Sequence, residues 1–151
     1  MTSDLNPAGE TPSEETNLQQ LRYNLFQSAS WLNSNIRKFL EPFAITPKQY
    51  NILLTLESRN PESLSIQEVR ESLADKMSDA SRLIDRLEKK DYLEKFPSDY
   101  DRRSNRVRIT DAGLKLLVQI NSRREILDQI LLQRLKPEEV AQLNELLSRL
   151  K

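Results

Sequence analysis

The chain contains no cysteine and no histidine. Without cysteine there is no disulfide, no thiol nucleophile, no thiolate metal site and no thiol-based redox sensor. Without histidine, imidazole acid–base chemistry and most zinc or iron sites are excluded. Glycine occurs only at Gly9 and Gly113, which cannot build a P-loop or a GxGxxG nucleotide loop. No apolar run approaches the roughly 18 residues that cross a membrane. The N-terminus has neither the basic nor the apolar region of a signal peptide. There is no excess charge either, with 23 Lys+Arg against 23 Asp+Glu, so any contact with nucleic acid must come from a local patch. These absences fit a cytoplasmic protein without metal, cofactor or membrane partner. An enzyme would have to work with Asp, Glu, Lys, Ser or Tyr alone, and no pair of them stands out.

What is present is helical periodicity with short interruptions. The length of 151 residues suits one domain. Residues 1–15 are rich in Ser, Thr, Pro and Glu and read as a disordered acidic tail. The first twenty residues carry four acidic groups and no basic one, which leaves 23 − 19 = +4 for residues 21–151. From about Asn17 to Leu40, apolar residues from Leu18 through Leu25 and Leu32 to Phe39 recur at spacings of three and four, and Pro42 ends the helix. Thr46-Pro47-Lys48-Gln49 and Ser65-Ile66-Gln67-Glu68 are capping boxes, and Thr110 is a third N-cap. They predict helices over 47–58 and 66–73 and another after residue 110. A further helix is expected over 76–90. Tyr92–Phe96 and Arg106–Ile109 read as two strands of a hairpin with a long polar tip. Leu116 to Leu131 reads as one helix, and Lys136-Pro137 starts the last.

The segment 77–90 is the most informative. At 100° per residue, Met77, Ala80, Leu83, Ile84 and Leu87 share one side, while Ser78, Arg82, Asp85 and Lys89 lie opposite. Short polar groups near the helix start allow close approach to base edges, and Arg reaches guanine or phosphate. The same pattern also describes an ordinary solvated helix. The hairpin that follows adds weight, because residues 95–108 hold Lys95, Arg102, Arg103, Arg106 and Arg108 against Asp99 and Asp101. A basic hairpin directly after such a helix is the order of a winged helix, whose arginines enter the minor groove.

Three runs then resemble the MarR family of transcriptional regulators. They are Ser81-Arg82-Leu83-Ile84-Asp85-Arg86-Leu87-Glu88-Lys89-Lys90-Asp91-Tyr92-Leu93, Asp101-Arg102-Arg103, and Ile109-Thr110-Asp111-Ala112-Gly113. The resemblance covers about residues 17–151. It implies a mainly α fold with a small β wing, in which 45–110 form a winged helix-turn-helix DNA-binding lobe. Residues 16–40 and 111–151 would be dimerisation helices, completing a single domain over 16–151. It also implies a homodimeric repressor of double-stranded DNA with a pseudo-palindromic operator. Ser78, Asp79, Ser81 and Arg82 would face the major groove. Arg103 would enter the minor groove, oriented by Asp101, and Arg102 would be a second candidate for backbone contact. Lys76, Arg86, Arg106 and Arg108 are further phosphate candidates. The family usually has Gly where this chain has Asp91, and Asp tolerates the left-handed conformation needed there.

A small aromatic or anionic effector is also implied, with Tyr23, Phe26, Trp31, Phe39, Phe43 and Tyr50 as candidate lining. At helical spacing the same aromatics can equally be core. Leu127, Ile130, Leu131, Leu135, Leu143, Leu146, Leu147 and Leu150 would pack between subunits, or else fold back on their own chain. The alternative function is a winged-helix protein-interaction module without specific DNA binding.

Overall fold

The first helix starts earlier than its apolar stripe. In the computed structural model, which describes residues 13–74 and 79–150, α1 spans Glu14–Leu40. The Ser13 hydroxyl accepts from the Thr16 N–H at 3.3 Å, and Glu14 and Glu15 sit in the first turn, where a carboxylate meets the positive end of the helix dipole. Glu14 and Glu15 thus belong to the helix rather than to the expected tail; residues 1–12 of that tail lie outside the described residues. The chain divides into two compact units, 1–35 and 36–151. The first is helical from Glu14 onward, and none of its described residues is buried.

The second unit holds the core. A 3-10 turn over Glu41–Phe43 contains Pro42 and closes on Ala44, which is left-handed at φ 54°. Next comes α2 (Pro47–Arg59), with Thr46 and Gln49 exchanging both hydrogen bonds of a capping box. It buries Ile52, Leu53 and Leu56. A two-residue strand, β1 (Leu64–Ser65), leads into α3 (Ile66–Ser72), where Ser65 and Glu68 form the second capping box at 3.1 and 2.6 Å. The carboxyl of Glu68 titrates below its ordinary value. The main cause is its hydrogen bond from the Ser65 N–H, aided by the Ser65 hydroxyl, Arg106 and Arg59.

The next helix, α4, spans Ala80–Lys89 with Asp79 as its N-cap, so it begins about four residues later than expected. It ends in a Schellman motif: Asp91 N–H donates to Glu88 O at 2.8 Å and Tyr92 N–H to Leu87 O at 3.1 Å, with Asp91 left-handed at φ 63°. Asp91 therefore takes the expected glycine role. β2 (Leu93–Pro97) and β3 (Asn105–Ile109) form the hairpin, paired from Leu93↔Ile109 to Pro97↔Asn105. β1 joins the other edge of β3, with Leu64 opposite Val107, giving the antiparallel order β1-β3-β2. That third strand was not expected, because two residues are too short for any alternation to register.

Then α5 (Asp111–Asn121) starts on Thr110, whose hydroxyl accepts from the Gly113 N–H at 3.1 Å. A Cβ on Gly113 would collide with the Tyr92 carbonyl oxygen and come within 2.7 Å of Ile109 Cγ1. Glycine is what lets this turn press against the end of the hairpin. The helix expected to run from Leu116 to Leu131 is in fact two, α5 and α6 (Glu125–Leu132). Between them Arg123 N–H donates to Ile120 O and Arg124 N–H to Asn121 O. These three-residue turns tighten the chain, and the Ser122 hydroxyl takes the Gln119 carbonyl at 2.6 Å. Finally, α7 (Pro137–Ser148) begins where Glu139 accepts from the Lys136 N–H at 2.8 Å.

The core joins Leu40 and Ile45 to Leu53, Leu56, Val69, Ile84, Leu87, Leu93, Val107 and Ile120. No residue of α6 or α7 is buried. No helix among the described residues is long and apolar enough to cross a membrane.

Candidate nucleic-acid interface

The first part of the interface is α4. Ala80, Ile84 and Leu87 are buried and Leu83 packs against the core. This fixes Arg82, Asp85, Arg86 and Lys89 on the solvent side, all exposed. Ser81 is half-buried on the flank. The Asp79 carboxylate accepts from the Arg82 N–H at 3.2 Å, so it serves as the helix cap. Lys76, Met77 and Ser78 lie outside the described residues. Among the described residues, the guanidinium groups of Arg82 and Arg86 take part in no hydrogen bond or ion pair.

The hairpin tip is held by its own short-range bonds. Ser98 N–H donates to Ser104 O at 2.9 Å, and Ser104 N–H to Asp101 O at 3.0 Å. The Asp101 carboxylate accepts from the Arg103 N–H at 2.9 Å. Asp101 thus meets Arg103 through the main chain, and their side chains form no ion pair. Ser98 is buried and its hydroxyl accepts from the Tyr100 N–H at 3.3 Å. Arg102 and Arg103 are exposed at this tip, and among the described residues their guanidinium groups have no partner.

The other cations of the hairpin are engaged. Arg106 donates from Nε to Ser63 Oγ at 2.7 Å and from a terminal nitrogen to Ser63 O at 2.5 Å, with Glu68 at 3.7 Å. Arg108 pairs with Glu94 and lies 5.1 Å from the centre of the Phe96 ring. Lys95 meets Asp85 at 2.6 Å and Glu88 at 3.3 Å. Its ammonium titrates above the ordinary value, chiefly through the Asp85 hydrogen bond and then through Glu88. The wing's excess of cations is therefore largely neutralised within the fold, and the unpaired charge is concentrated at Arg102 and Arg103. Sequence reasoning missed Ser63 and Ser98, and it counted Lys95 toward the hairpin's excess charge without its helix partners. The Asp85/Glu88 spacing of three on one helix was the available signal.

The six aromatic candidates separate. Phe39 is buried, with Phe43 at a ring distance of 6.1 Å and a tilt of 57°. Phe43 and Tyr50 are partly buried against the core, and burial, then Glu57, pushes the Tyr50 hydroxyl up. Arg123 lies 5.5 Å from the centre of the Phe43 ring. Trp31 is half-buried, while Tyr23 and Phe26 on α1 are exposed and so are not core. Two open clefts of about 520 and 500 Å³ lie against the hairpin, around Phe96 and Arg106 and around Glu94 and Thr110, and none of the six aromatics lines either. No cluster of metal-ligating side chains is present among the described residues.

A helix pair, α3 and α4, followed by the β2–β3 hairpin, with β1 from before the pair completing the sheet, defines a winged helix-turn-helix. Residues 45–104 match the family model described as MarR family. The transcriptional repressor MprA of Escherichia coli K12 is 32% identical over 91 residues, covering 60% of this chain and 52% of MprA. The chain thus spans about half the length of the first curated relatives it matches. The multiple antibiotic resistance protein MarR of Salmonella typhimurium is 29% identical over 134 residues, 88% of this chain and 90% of its own. Among solved structures, a mutant E. coli MarR complexed with operator DNA superposes with a TM-score of 0.78 at 23% identity, over 92% of this chain and 99% of that one. Residues 45–104 are thus similar to the MarR family.

Proposed function

We propose that this chain is a sequence-specific DNA-binding transcriptional regulator, a homodimeric repressor acting in the cytoplasm rather than an enzyme. The observation that carries the reading is the distribution of unpaired arginine. Among the described residues, the guanidinium groups of Arg82 and Arg86 on the outer face of α4 and of Arg102 and Arg103 at the hairpin tip have no partner, while the hairpin's remaining cations are tied into the fold. A helix for the major groove beside an arginine-tipped hairpin for the minor groove suits double-stranded DNA. Arg82 and Ser81 are assigned to base edges, Arg86 and Arg102 to phosphate, and Arg103 to the minor groove. Lys76, Ser78 and Asp79, just before the helix, stay in the proposed contact set. Arg106 and Arg108 are assigned to holding the wing.

The domain plan is part of the same reading, with 45–110 as the DNA-binding lobe and 16–40 and 111–151 as dimerisation helices. The support is apolar surface left uncovered: Leu18, Leu21 and Phe26 in the first unit, and Leu143, Leu146 and Leu150 in the second. A two-fold dimer would set two α4 helices about 34 Å apart and require a pseudo-palindromic operator. Relief by a small aromatic or anionic effector is included, and the Arg123–Phe43 pair offers a cation and a ring for it.

The test is fluorescence-anisotropy binding to DNA fragments from around the gene, across a salt series, for wild type and Arg103→Ala. Wild type is expected to prefer one fragment over competitor by roughly a thousandfold. Arg103→Ala is expected to lose that binding and to lower the salt slope by about one. Weak, sequence-indifferent binding that is the same in both proteins would refute the reading.

A further inference from the structure

We infer that Lys95 is a specificity-determining positioning residue, which locks the wing to α4 so that helix and hairpin read DNA as one rigid head. The inference rests on the DNA-binding reading above and concerns a residue that would touch no DNA.

Three contacts converge on this strand position. The Lys95 ammonium reaches Asp85 at 2.6 Å and Glu88 at 3.3 Å, and the Lys95 N–H donates to the other Glu88 oxygen at 3.3 Å. Glu88 thus holds both the main chain and the side chain of one β2 residue. Asp85 and Glu88 are three apart on α4, Asp85 exposed and Glu88 partly buried. Lys95 is only a quarter exposed, so the cluster is better shielded than an ordinary surface pair. The opposite edge of the hairpin is tied separately, by Arg106 to Ser63 and Glu68.

Leverage makes the joint matter. The tip begins at Ser98, three residues beyond Lys95, or about 10 Å of strand. A tilt of ~10° at Lys95 would move the tip arginines by about 2 Å, enough to lose a minor-groove contact while α4 stays seated. Phosphate contacts tolerate such a shift far better than base-step geometry does. Removing Lys95 should therefore cost discrimination more than affinity.

The experiment first selects duplexes from a random 30-base-pair library with the wild-type protein. It then measures binding of wild type, Lys95→Met and Lys95→Arg to one selected duplex and to a scrambled one across salt. The expected result for Lys95→Met is a selected-to-scrambled ratio at least tenfold lower, with the scrambled affinity and the salt slope unchanged; Lys95→Arg should retain most of the ratio. An Asp85→Asn/Glu88→Gln double variant breaks the same joint from the helix side and keeps the cation. It should also lower the ratio, and adding Lys95→Met to it should lower the ratio no further. Circular dichroism checks folding, and the double variant carries the test if Lys95→Met does not fold. Equal losses on both duplexes with a salt slope reduced by about one would make Lys95 a phosphate contact and overturn the inference. An unchanged ratio in the folded variants overturns it as well. If wild type enriches no sequence, the regulator reading itself falls and this inference with it.

Discussion

At the scale of single residues, chemically alike side chains have been given different work by their neighbours. Arg102 and Arg103 point out of a hydrogen-bonded turn, whereas Arg106, one strand position inward, is held by both oxygens of Ser63. Their one-letter identity cannot separate them; only the paired register of β1 against β3 brings Ser63 to Arg106. Gly113 is the other residue whose surroundings dictate its identity. Because a Cβ there would meet main-chain oxygen rather than a movable side chain, Gly113→Ala should destabilise the fold by about 1–3 kcal/mol through overpacking. Chemical denaturation would read this as a lower midpoint at unchanged slope, and an unchanged midpoint would contradict the close approach.

Among the elements, the starts marked by Thr46, Ser65 and Thr110 were legible, while the starts of α1 and α4 and the break between α5 and α6 were not. Thr46, Ser65 and Thr110 cap the helices that the sequence assigned to them, because an N-cap and its partner sit within three residues of each other. The gap between α5 and α6 carries neither proline nor glycine, and its cause is a competing serine hydroxyl together with tightened main-chain turns. The partners of Lys95 and Arg108 likewise lie 10 and 14 residues away in sequence, beyond any local pattern. Of the candidate site, the helix face and the tip arginines could be read from spacing, but not which cations were already neutralised.

The second capping box also predicts a pH response. Glu68 has a depressed carboxyl pKa in the folded chain, so its contribution to stability is complete above its ordinary value of 4.5 and is lost as acid takes the pH down through the lower folded value. A Glu68→Gln variant should be less stable than wild type at neutral pH, with the gap closing in acid. Thermal unfolding at a series of pH values measures that gap, and one that widened in acid would contradict the assignment.

For the whole molecule, the issue is surface that one chain leaves uncovered. Leu143, Leu146 and Leu150 are 42%, 51% and 67% exposed, and α6 and α7 bury no residue. A monomer rarely tolerates that much contiguous apolar helix. The proposed dimer predicts that Leu146→Asp will shift the protein to monomer in light-scattering chromatography while the winged helix keeps its circular dichroism. Retention of the dimer would remove α7 from the interface.

Those bare leucines carry a consequence for dosage. If two copies must meet before either is fully covered, the amount of reading head available at low abundance grows with the square of the number of chains made, not in proportion to it. Halving synthesis would then cut promoter occupancy about fourfold, and solitary chains, their greasy helices open to proteases, would be the first cleared. A feature that looks like unfinished folding would thereby sharpen the response of its target genes to small changes in supply.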